Sequence, residues 1–199
     1  MNSQRVHSKP NHTSYQAEKS HPLMMILNLL MLAASAFFVY LVITIWAISE
    51  PFETPLSSVH VYGVFFLMLP SFFIGSSHFQ VAEEKVRSLI LLLSLIVMSL
   101  VAYISLQFIT LESQFSMPQN LSSKIYIMVS LSHAFLAMVM AIMSCYLVGH
   151  FSRSLSNPVL SLLIFTNPFE QLRLTMFVRL LRFTQLSWVV SYLLMLTLV

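Results

Sequence analysis

Five stretches of about 20 consecutive, predominantly apolar residues recur along this chain. Each is long enough to cross, as a helix, the roughly 30 Å hydrocarbon core of a bilayer. In lipid every backbone N–H and C=O must bond within the protein, and a helix achieves this one segment at a time. The apolar runs are continuous rather than alternating, which excludes a barrel of short strands with alternating polarity. The sequence therefore predicts an all-α polytopic membrane protein, a bundle of five transmembrane helices, with spans at about 22–48, 57–74, 88–110, 124–148 and 176–199. Composition agrees: 57% of residues are hydrophobic and 9% charged, where a soluble domain has about a quarter charged.

Residues 1–20 are polar, with Lys9 and Lys19 and almost no aliphatic side chains. They cannot bury a core and are expected to form a disordered tail before a membrane domain over 21–199. No secretory signal is evident, because the first apolar run is longer than a signal-peptide core. Residues 150–171 form the longest expected connection. Its short apolar stretch, Val159 to Phe165, is expected to lie in the membrane interface. An odd number of spans puts the tail, the turn around Glu84 and the loop around Arg153 on one side. That side collects Arg5, Lys9, Lys19, Lys85, Arg87, Arg153 and Arg173, whereas the other holds Lys124. Positive charge stays cytoplasmic, so the N-terminus is expected inside and Val199 outside.

The residues that could carry chemistry are sparse. There is no aspartate, and all seven acidic residues are glutamates in the tail, loops or helix ends. No carboxylate at mid-membrane is available as a proton relay. The single cysteine, Cys145, excludes an internal disulfide and a thiolate metal cluster. His133 falls well inside the fourth span without a second histidine at matched depth. It is expected to be a hydrogen-bonded structural residue between helices rather than a haem ligand. His60, His78 and His150 fall near helix ends.

The last span carries the polar residues of most interest. Arg179, Arg182 and Gln185 recur at every third position and are expected to form a polar ridge. Guanidinium forks suit phosphate, so Arg179 and Arg182 are candidate ligands for a phospholipid headgroup, with simple snorkelling to the headgroup layer as the bland alternative. Glu83 or Glu84 is an alternative partner for either. Trp188 and Tyr192, beyond the ridge, are expected to pack. Small residues cluster at Ala33 to Ala36 and recur at Ala134, Ala137, Ala141 and Ser144, where helices can approach closely.

The run Leu181-Arg182-Phe183-Thr184-Gln185-Leu186-Ser187-Trp188, followed by Tyr192-Leu193, resembles the last helix of subunit III of the haem–copper terminal oxidases in its five-helix bacterial form. Phe183, Trp188 and Tyr192 match that pattern, while Arg182 and Gln185 stand where the family has histidine and aspartate. Ser76-Ser77 before a charged turn, and Gln107-Phe108 closing the third span, also look similar. His133 stands at the first place of the family's His-x-x-His pair, with Leu136 at the second. Asn28-Leu29 falls where the family carries a buried glutamate. The resemblance covers 60–199 and, more loosely, the first span to Tyr40.

The resemblance implies a non-catalytic accessory subunit that packs against catalytic subunit I, holds phospholipid, and supports complex stability and proton uptake. Haem and copper are then expected in the partner and none in this chain. No nucleic-acid partner is expected, and the location implied is the bacterial inner membrane. An accessory subunit of a nitric oxide reductase and a small transporter are the alternatives. The topology is testable in a Cys145→Ser background. A cysteine at Ser8→Cys is expected to react with an impermeant maleimide in inside-out vesicles, and one at Asn120→Cys in right-side-out cells.

Overall fold

A computed structural model describes residues 21–48, 62–72, 86–115, 121–156 and 168–196. The described residues form five helices: α1 (Pro22–Ile48), α2 (Tyr62–Phe72), α3 (Val86–Phe115), α4 (Leu121–Leu155) and α5 (Pro168–Leu196). Three of them, α1, α3 and α4, are long and apolar enough to cross a membrane. Pro22 opens α1, where a missing N–H costs nothing. Two backbone amides, of Met24 and Met25, bond back to the carbonyl of His21.

Several element boundaries differ from the sequence reading. Of the second span, expected at 57–74, residues 62–72 are described and are helical, and the remaining positions lie outside the described residues. The third and fourth helices extend past 88–110 and 124–148. The last helix already includes Pro168, upstream of the expected start at 176, and is described as far as Leu196. Glu112 thus belongs to α3, His150 and Arg153 to α4, and Glu170 and Gln171 to α5, which shortens the expected 150–171 connection from both ends. The polar residues at these ends continue the helices, because a helix that outruns its apolar segment can still satisfy its own backbone. The described α5 is not among the helices apolar enough to span, since Arg179, Arg182 and Gln185 dilute its hydrocarbon character. The apolar stretch 159–165, the tail 1–20, His60, His78, Glu83 and Glu84 lie outside the described residues.

The core is centred on α3 and α4, which share the most extensive helix–helix contact. Leu89, Leu93, Ile96, Leu100 and Tyr103 recur on one face of α3 and are almost completely buried. Opposite them lies the α4 stripe of Ala134, Ala137, Met140, Ala141 and Ser144. The small side chains bring the backbones close, and Ser144 Oγ donates across the interface to the Leu93 carbonyl at 3.2 Å. The α4 stripe is therefore used for packing within this chain. In α1, Ala34 packs toward α4 beside Phe38 and Leu41, while Ala33 and Ala36 are exposed.

Side-chain pairs set the direction of the remaining helices. His133 meets Ser187 and His150 meets Glu170, the same number of residues apart on each helix, so α4 and α5 run antiparallel. His21 against Phe169, and Met24 and Leu27 with Leu172, make α1 and α5 parallel. In its most apolar window α1 is 17% buried, which leaves most of that helix facing outward.

Short α2 is held through its backbone. Pro70 has no N–H to give the Phe66 carbonyl, which would otherwise be its i−4 acceptor. Ser99 of α3 supplies the missing donor by bonding to that carbonyl. Neighbouring hydroxyls allow proline within membrane helices in this way. Ser99→Ala is expected to destabilise the bundle by about 1–2 kcal/mol, because a buried carbonyl loses its donor. Pro70→Ala in the same chain restores a backbone donor and is expected to recover most of the loss. Equilibrium unfolding in detergent of the two single variants and the double variant measures this coupling.

Candidate functional site

Where α5 passes α2 and α4, its polar face divides. Residues three apart on a helix differ by about 60° around the axis, so a row of three turns through about 120°. Arg179 is half-buried, Arg182 is exposed, and Gln185 is buried at 5% exposure. The expected single ridge is therefore not formed: its C-terminal member points into the bundle and Arg182 points out.

Gln185 is bound on both sides of its amide. Nε2 donates to the Leu67 carbonyl at 2.8 Å, and Oε1 accepts from Ser71 Oγ at 2.6 Å. Both partners belong to α2. With Ser99 on the Phe66 carbonyl, two successive carbonyls of α2 are drawn to α3 and α5.

One stretch further along α5 lies a second polar group. His133 of α4 is 1% exposed. Its Nδ1 is 2.9 Å from the Val129 carbonyl, and because a carbonyl can only accept, Nδ1 carries the proton. Nε2 is then an acceptor and faces Ser187 Oγ at 3.4 Å, a long contact. The imidazole stacks on Phe38 of α1 at 4.3 Å and lies 6.0 Å from the Trp188 ring. Trp188 Nε1 donates to the Tyr103 hydroxyl of α3, and its ring contacts Tyr192 at 5.2 Å. Histidine, tryptophan and both tyrosines thus join helices α1, α3, α4 and α5 at one level. Outside Phe38, an apolar groove of about 390 Å³ between α1 and α4 is lined by Phe37, Phe135 and Leu136, among others.

At the opposite end of the α4–α5 interface, Glu170 lies between two basic side chains. Oε1 accepts from Arg173 Nη1 at 3.0 Å, and Oε2 is 3.3 Å from His150 Nε2. Tyr146 stacks parallel to the His150 ring at 6.1 Å, with the Arg173 guanidinium 6.0 Å from the Tyr146 ring centre. Glu170 also sits in the first turn of α5, where the helix dipole favours a carboxylate.

Of the residues singled out in the sequence, the structure brings His133, Trp188 and Tyr192 together and ties Gln185 to α2. Arg179 and Arg182 are not part of either group. Sequence reasoning missed Tyr103, Ser71, Ser99 and the His150–Glu170 pair. The spacing of Glu170 and Arg173 was a visible signal; the other pairings depend on which helices become neighbours. Among the described residues no group of three or more His, Cys, Asp or Glu side chains is placed to hold a metal ion. Comparison with protein-family models, curated proteins and solved structures finds no match.

Gln185→Leu is expected to lower stability by about 1–2 kcal/mol, since Ser71 and the Leu67 carbonyl lose their partner. Exposed Arg182→Gln is expected to change it by less than about 0.5 kcal/mol. Parallel detergent-unfolding curves of the two variants test the division of the polar face.

Proposed function

We propose that this chain is a non-catalytic accessory subunit of a larger membrane complex, a subunit III-like component of a respiratory haem–copper oxidase. The observation that carries the reading is the use made of the interior polar side chains. Gln185 ties α5 to α2, Ser99 ties α3 to α2, Ser144 ties α4 to α3, and Trp188 ties α5 to α3. Polar groups spent on holding helices together suit a scaffold better than a catalyst. The spacing of Phe183, Trp188 and Tyr192 supports the choice of oxidase, and Trp188 and Tyr192 lie at the junction of four helices.

In this proposal all five helices lie in the bacterial inner membrane, with the N-terminus cytoplasmic. The end of the bundle carrying Arg153 and Arg173 then faces the cytoplasm. Arg179 and Arg182 lie a few turns inward along α5 and are the candidates for a phospholipid headgroup. The outward face of α1 is available to lipid or to the catalytic subunit.

The test is affinity purification of the tagged full-length chain in a mild detergent, followed by an optical spectrum. A Soret band accompanied by a large polytopic partner is the expected result. A colourless chain purifying alone from cells that assemble the oxidase would overturn the proposal.

A further inference from the structure

The polar junction around His133 contains a small cavity. Its volume is about 10 Å³, and its lining includes Ser130 and His133 of α4 and Trp188, Ser191 and Tyr192 of α5. That is about the space needed by one water molecule. Ser130 and Ser191 are 4% and 3% exposed, so their hydroxyls are held in the interior.

The hydrogen-bond requirements of His133 are only partly met by the chain. With Nδ1 donating to Val129, Nε2 presents a lone pair. Ser187 has a single hydroxyl proton and two acceptors in reach: the Thr184 carbonyl at 3.0 Å and His133 Nε2 at 3.4 Å. The shorter contact takes the proton, which leaves Nε2 in need of a donor.

We propose that the cavity between α4 and α5 is a binding site for one protic molecule, water, which donates to His133 Nε2 and exchanges hydrogen bonds with Ser130 and Ser191. Water fits because it both donates and accepts, as the site requires, and because the accessible volume is about that of one water molecule. The site gives the buried imidazole a hydrogen-bonded neighbour outside the polypeptide. It is independent of the oxidase proposal, since it rests on the geometry of this chain alone.

The test is water-edited solid-state NMR of the full-length chain, labelled with ¹⁵N-histidine and reconstituted in phosphatidylcholine bilayers. His133→Asn identifies the His133 signals by their disappearance. Magnetisation is expected to pass from water to the His133 ring in the wild type. Ser191→Val fills the cavity, and the transfer is expected to be lost while the Nδ1-protonated signature remains. Ser130→Val provides the same test from α4 if the α5 variant does not fold. A wild-type His133 ring that receives no magnetisation from water would overturn the proposal. So would transfer that persists unchanged in a folded cavity-filled variant.

Discussion

Two carbonyl oxygens of one short helix hold this bundle in register. Pro70 deprives Phe66 of its backbone donor, and Ser99 of α3 takes that place. On the next residue, the Leu67 carbonyl accepts from Gln185 of α5. In an apolar interior an unmet carbonyl costs far more than a hydrogen bond gains, so these ties matter through the cost of breaking them. They place α2 between α3 and α5 and put Leu67 in the main core with Leu93, Leu100 and Leu181.

The other polar side chains follow the same constraint in two ways. Many hydroxyls bond back to their own helix: Ser35, Thr44, Ser94, Ser105, Thr110 and Ser132 each reach the carbonyl four residues earlier. Such residues are self-sufficient and can face lipid or protein. A smaller set crosses between helices: Ser71, Ser99, Ser144, Gln185 and Trp188. Interhelical hydrogen bonds within membranes are each worth only about 0.6 kcal/mol on average. Their value here is in specifying which helix lies where, because hydrocarbon surfaces alone discriminate weakly among packings.

The bundle is uneven along its length and around its circumference. The α3–α4 pair is tightly interlocked through small residues, whereas α1 is attached along one strip through Phe38, Leu41, Met24 and Leu27. At one end of α4 the His150–Glu170–Arg173 group joins it to α5, and nearer its other end His133 does so through Ser187. The two junctions fix the antiparallel register of α4 and α5 at separated points. Their surroundings differ: the first contains the Arg173–Glu170 ion pair and is partly exposed, whereas the second is an aromatic cluster around a buried histidine.

The helical class, the membrane-compatible character of α1, α3 and α4, and the use of small residues in α4 for close packing were all legible in the amino-acid order. Those properties depend on local composition and on a 3.6-residue period, which are present in the chain before it folds. The consequence of Pro70 emerges only with the fold, which brings Ser99 to the carbonyl of Phe66. The tertiary structure decided that Gln185 turns inward to α2 while Arg182 faces out, that His133 meets Phe38 and Ser187, and that Tyr103 receives the Trp188 N–H. These outcomes depend on the order and rotation of neighbouring helices. Apolar runs of similar composition do not encode that arrangement locally; the polar side chains select it once the helices are in contact.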